Sequence, residues 1–151
     1  MVSFLIGCVA GLRSLTAPAI VCWAVDFGWL QPPHAALAFL NHPVTLTIIT
    51  LLALVELVAD KLPKTPARTA PIGLIARVVL GGACGAVVAI VKGVSPTLAA
   101  ITASVGAVLA AFAGYNIRHV LVSRFGLPDF AVALAEDVMA IAGGCLILSR
   151  V

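Results

Sequence analysis

The sequence predicts an all-α, polytopic bundle embedded in a membrane, and three observations predict it. Hydrophobic residues make up 62% of the 151 positions and charged residues 10%, against roughly 45–50% and about 25% in soluble domains. The apolar residues gather in runs close to the ~20 residues that a helix needs to cross hydrocarbon. Nine prolines stand mostly between those runs, where they set helix ends. A water-soluble core of this length would leave much apolar surface uncovered, so lipid is the solvent for much of it. The length fits one transmembrane domain over residues 1–151.

About five spans are expected. The first covers about residues 2–25, with Arg13 near its middle and with Gly11 and Pro18 interrupting it. It either crosses whole, breaks between Gly11 and Pro18, or turns back as a re-entrant hairpin. Irregular backbone at that depth has to be covered by protein or by a wet cavity. "LIGC" (Leu5 to Cys8) has the form of a lipoprotein cleavage box, but no basic residue precedes it, so it is expected to remain on the mature chain. Residues 26–42 hold Asp26, Pro32, Pro33 and His34 and no Lys or Arg. Trp23 and Trp29 flank this stretch, where an aromatic belt would lie. A second span, about 43–61, opens on Pro43, a favoured first helical residue. The connection from Lys61 to Pro71 carries Lys61, Lys64 and Arg68 among Pro63, Pro66 and Pro71, which excludes regular helix. A third span covers about 72–92, a fourth about 96–120 and a fifth about 128–149, the last after the turn "FGLPD" and carrying Glu136 and Asp137.

Basic residues favour cytoplasmic loops. Loops 61–77 and 118–128 hold Lys61, Lys64, Arg68, Arg77, Arg118 and Arg124, while loop 26–42 holds none. With five full crossings this places the N-terminus and both basic loops inside a bacterial inner membrane and the C-terminus outside. Small residues recur four apart: Gly7 and Gly11, Gly81 and Gly85, then Gly106, Ala110 and Gly114. Such spacing lets helix backbones approach closely in lipid. It predicts tight packing and a homodimer.

A net charge of +3 gives no reason to expect nucleic acid as a partner. Cys8, Cys22, Cys84 and Cys145 are scattered through apolar runs with no C-x-x-C and read as small buried hydrophobes. No metal or cofactor is expected. The H-E-x-x-H and G-x-S-x-G patterns of hydrolytic enzymes are missing, so an enzyme is not expected.

The informative residues are the charges inside the spans: Arg13, Glu56, Asp60, Arg118, Glu136 and Asp137. A charge at the bilayer centre costs about 2.5–3.5 kcal/mol on insertion scales, so these face the bundle interior and a partner. The simplest pairing joins Arg13 to Glu56 or Asp60, and Arg118 to Glu136 or Asp137. Lys61, Arg77 and Lys92 lie near span ends, where a long side chain reaches the headgroups. An echo runs through the chain. "CVAGLRSL" (Cys8 to Leu15) parallels "AFAGYNIRHVL" (Ala111 to Leu121), and "VELVADKL" (Val55 to Leu62) parallels "VALAEDVM" (Val132 to Met139), aligning Asp60 with Asp137. An odd span between the copies predicts an inverted repeat, spans one and two against four and five, which is a transporter arrangement.

The stretches "GLRSLTAPA", "ELVADKLPKTPART" and "ALAEDVMAI" resemble a family of small bacterial integral membrane proteins known only as a domain of unknown function. The resemblance covers nearly the whole chain. Its E-x-x-A-D-K-x-P motif falls on Glu56, Ala59, Asp60, Lys61 and Pro63. Some longer relatives carry Asp, Trp and His after it, where this chain has "KTPART". The resemblance implies a helical inner-membrane fold and no particular activity. Two functions follow from the residues. One is a proton- or cation-coupled permease for a small ion or metabolite, with the arginines as counter-ions and the carboxylates binding a cation or carrying protons. The other is a structural or regulatory membrane protein whose charges are locked in ion pairs. A polar cavity reaching Glu56 and Glu136 favours the first, and dry one-to-one pairs favour the second.

Overall fold

The computed structural model describes residues 1–33, 35–61 and 70–151. Among them are six α-helices: α1 (Val2–Leu12), α2 (Thr16–Asp26), α3 (Pro43–Ala59), α4 (Pro71–Val91), α5 (Pro96–Ser123) and α6 (Asp129–Leu148). A 3-10 helix, Ala35–Asn41, joins α2 to α3, and no strand occurs among the described residues. Helices α4, α5 and α6 are long and apolar enough to cross a membrane, while α1, α2 and α3 are shorter apolar helices. This is a helical membrane protein.

Local chemistry sets the helix ends. Proline occupies the first turn of α3, α4 and α5, where its missing N–H is one that a helix start leaves unpaired in any case. His42 Nδ1 accepts the Val44 N–H at 3.3 Å and caps α3. Past the end of α4, Gly93 takes φ 65°. It donates its N–H to Ile90 O at 3.2 Å, and Val94 donates to Ala89 O at 3.0 Å, the paired bonds of a left-handed helix stop.

The first predicted span is a hairpin. Gly144 on α6 lies against both Val9 of α1 and Ile20 of α2, while Arg13, between them in sequence, reaches Asp137 about two turns earlier on α6. In a continuous helix Val9 and Ile20 would stand about 16 Å apart, too far to share one contact. The chain therefore climbs through α1, reverses at residues 13–15 and descends through α2. Contacts from Glu56 to Ser14 and from Thr50 to Trp23 then set α3 antiparallel to α2. Every later helix reverses its predecessor. The 13–15 turn, the end of α3, the start of α4 and the α5–α6 turn lie at one end of the bundle. Both chain termini, the 3-10 helix and the turn at 92–95 lie at the other.

Two expectations change with the hairpin. A full crossing by residues 2–25 would set the termini at opposite ends, and the reversal sets them at the same end. The inverted repeat requires the two arginine-bearing segments to run antiparallel. Instead α1 and α5 run parallel, with Gly7 on Ala103 and Gly11 on Ala107. The extra reversal at residues 13–15 removes the inversion.

The core is a triple of α1, α4 and α5, meeting through glycines. A Cβ on Gly7 would fall on the Ala103 backbone, and one on Gly106 would fall on Phe4 O. On α4, a Cβ on Gly81 would stand 3.1 Å from Ala10 Cβ, and one on Gly85 would stand 2.9 Å from Ala99 O. The four-residue spacing read from the sequence thus lies along real backbone crossings. Gly114, higher on α5, is buried.

Candidate charged latch at the hairpin tip

Reversal in an apolar bundle leaves backbone groups without helical partners, and lipid offers none. Arg13 takes an extended conformation, φ −141° and ψ 112°, and ends α1. Pro18 is the third residue of α2, so its lacking donor falls in the first turn and does no harm. The exposed N–H groups of the tip are met by Glu56. Its carboxylate accepts the Ser14 N–H at 2.8 Å, the Leu15 N–H at 2.7 Å and the Ser14 hydroxyl at 2.5 Å. A carboxylate at the start of α2 also meets the positive end of the helix dipole. On the other side of the break, Arg77 Nε–H donates to Gly11 O at 3.1 Å, one of the carbonyls left by the end of α1. Arg77 also donates to Gly73 O at 3.3 Å and stands 3.9 Å from Glu56.

Arg13 itself is fully buried and is shared by two aspartates. It pairs with Asp60, the C-cap of α3, and with Asp137 in the middle of α6 at 2.7 Å. Asp137 also pairs with Lys61, whose ammonium donates to Leu57 O at 2.8 Å. Among the described residues, three cations (Arg13, Lys61, Arg77) therefore face three anions (Glu56, Asp60, Asp137) around one tip. Three helices and a hairpin meet there, held by the ion pairs of Arg13 and by charge-assisted hydrogen bonds from Glu56, Lys61 and Arg77, the stronger class of hydrogen bond.

A second group sits nearer the α5–α6 turn. Arg118 grips Asp129 with two parallel bonds of 2.7 Å each and stands 3.8 Å from Glu136. The pairs formed differ from the simplest ones in two ways. Arg13 joins Asp137 as well as Asp60, and the main partner of Arg118 is Asp129, an acid not singled out in the sequence. The signal for Asp129 was its place in the first turn of a helix starting at a proline. Ser14 was also missed: it stands one residue before Leu15, the N-cap of α2, and its partner Glu56 lies 42 positions away. Arg77 was expected at the headgroups, yet it is only 4% exposed because the α1 carbonyl and Glu56 draw it inward. Lys61 likewise turns to Asp137. Lys64 and Arg68 lie outside the described residues, as does His34.

Among the described residues, clefts of about 350 and 380 Å³ open on the bundle surface, and both are apolar. The first lies between α2 and α3 under Trp23 and Trp29, and Trp23 closes one side by donating to Thr50 at 3.0 Å. The second lies between α5 and α6 and includes Glu136. Neither is lined by Glu56, Asp60 or Asp137.

Glu56→Gln tests the tip directly. The amide keeps one acceptor oxygen but offers an N–H₂ where the second backbone N–H now points. The expected loss is about 1–3 kcal/mol of stability, the cost of an unsatisfied buried group. Thermal unfolding in detergent measures it. A maleimide on Ser14→Cys should label faster when Glu56→Gln is added, and unchanged labelling and melting would contradict the capping role.

A family model described as "Domain of unknown function (DUF4126)" matches residues 1–149. No curated protein and no solved structure matches the chain.

Proposed function

The chain belongs to this family of unknown function, DUF4126, so its activity has to be read from the site, and we propose that it is a small proton- or cation-coupled permease. The observation that carries the reading is the sharing of one buried arginine by two aspartates on different helices, at the tip of a re-entrant hairpin. Ionisable groups inside a membrane bundle mark pathways and relays more often than they brace it. Because Arg13 holds two partners, a proton or cation arriving at Asp60 would loosen one contact and leave the pair between Arg13 and Asp137 in place. The hairpin α1–α2 is then the moving element and the charge network its latch. With the basic connections inside a bacterial inner membrane, the latch faces the cytoplasm and both termini face out.

A second reading has its own support. The two clefts among the described residues are apolar and neither is lined by Glu56, Asp60 or Asp137, which fits a structural protein whose charges stay locked. Flux through proteoliposomes, over a panel of ions and small metabolites, separates the two. The permease reading expects wild-type flux above empty vesicles, falling to their level in Asp60→Asn and Asp137→Asn. Equal flux in all three proteins would remove the carboxylates from any mechanism, and none above empty vesicles would leave the latch purely structural.

A further inference from the structure

We propose that the α5–α6 tip is a lipid-docking wedge: Phe125 and Leu127 insert into the headgroup layer of the bilayer, and Arg124 binds a phospholipid phosphate. The register of the bundle carries the argument. On α4, Gly85 faces Ala99 and Ala103 of α5, and Gly81 faces Ala107. The two helices are antiparallel and step together, which sets Pro71, the start of α4, level with about Ile117. The paired bonds from Arg118 to Asp129 set the start of α6 at that level too. Beyond it α5 continues to Ser123, so residues 118–123 rise about 9 Å past both neighbours.

Helix lengths fix where that level lies. α4 and α6 have 21 and 20 residues, about 30 Å each, which is the thickness of the hydrocarbon. α5 has 28 residues, about 42 Å, which matches the bilayer with its headgroups included. The turn at 92–95 keeps α4 and α5 flush at the far end, so the surplus lies here and the tip stands among headgroups. Its surface is apolar for a loop. Phe125 is 70% exposed, Leu127 44%, and Phe130, in the first turn of α6, 62%. Leu127 donates its N–H to Leu121 O at 3.3 Å, which folds the chain back beside the end of α5. Arg124, the C-cap of α5, is exposed. None of the described acids pairs with it, and residues 34 and 62–69 contain no Asp or Glu. A phospholipid supplies both partners that the tip lacks: chain tops for the apolar side chains and an anionic phosphate for the guanidinium, which takes it with two parallel bonds. Aromatic and basic side chains together are the chemistry of that layer.

Docking is independent of the permease reading and is measured without flux. The chain has two tryptophans, and Trp23→Phe with Trp29→Phe removes both. Full-length protein in that background receives Phe125→Trp or, separately, Leu127→Trp. Each is placed in vesicles of phosphatidylcholine brominated either near the headgroup or near the chain end. The introduced indole should emit to the blue of tryptophan in water. Shallow bromines should quench it at least about twofold more strongly than deep ones, as for a ring in the aromatic belt. Arg124→Glu sets a like charge against the phosphate and should lower the shallow quenching by at least about a third, while Arg124→Lys keeps it. Either indole position decides the outcome, so a variant lost to misfolding leaves the other to read the same layer. Water-like emission with ready quenching by acrylamide would overturn the proposal, and so would quenching indifferent to Arg124→Glu. Blue emission that neither the bromines nor acrylamide quench would overturn it in favour of a second copy of the chain covering the tip.

Discussion

Arg13→Leu should lower stability by about 3–5 kcal/mol, the cost of leaving a buried charge without its partner. Arg13 is fully buried and touches acids on α3 and α6. Its removal takes from Asp60 the cation it pairs with and leaves Asp137 with Lys61, so the described latch carries a surplus negative charge in a low-dielectric interior. It also frees the tip of the α1–α2 hairpin, because those two pairs fasten the turn to the rest of the bundle. The sign can be checked with a second substitution. Arg13→Leu combined with Asp60→Asn restores neutrality and should recover part of the loss, a coupling between neighbours that additive effects would not show. Melting in detergent, followed by size exclusion, reads both variants. A single variant that melts like wild type would show that the network contributes nothing to the fold.

Gly7→Leu should be at least as damaging, by a different mechanism. The added Cβ would occupy the position of the Ala103 carbonyl on α5. Ordinary overpacking costs about 1–3 kcal/mol because side chains can shift. Here the obstacle is backbone in the middle of a helix, so the two helices must part. Gly11, one turn on, would meet Ala107 O and, at 2.8 Å, Ala110 Cβ, and the same outcome is expected for Gly11→Leu. Gly143 supplies the contrast. Nothing lies within 4 Å of its would-be Cβ, and Gly143→Ala should stabilise by about 0.5–1 kcal/mol through helix propensity. If Gly7→Leu and Gly143→Ala melt together, α1 and α5 do not meet through their glycines.

Much of the bundle was legible because it is local. Pro43, Pro71 and Pro96 open helices where the spans were expected, and Pro128 caps the last. The expected span over about 96–120 continues to Ser123 in the structure, an extra turn for which no strong stop signal exists before Gly126. Stripes of small residues gave the packing faces, since any helix places positions four apart on one side. The partners of the charges were less legible. Depth along neighbouring spans gave Arg13 either Glu56 or Asp60, and Arg118 either Glu136 or Asp137; contacts in the structure fall to Asp60 and Glu136. That Asp137 would come to Arg13 depended on α6 packing beside the hairpin, a fact about non-local contacts.

The opening helix marks the boundary most sharply. Sequence by itself determined a helical membrane chain, the starts of most of its helices, the tight faces and the burial of Arg13, Glu136 and Asp137, because each follows from composition, proline chemistry or helical spacing. It left three courses open for residues 2–25. Only the tertiary structure decided among them. A reversal at Arg13, Ser14 and Leu15 is stable when something distant satisfies the exposed backbone, and here those groups are Glu56 on α3 and Arg77 on α4. Nothing within the hairpin's own sequence supplies them. The acids of "ELVADK" were visible from the start as charges in need of partners, and the fold revealed that one of those partners is the backbone of a turn 41 residues earlier in the chain.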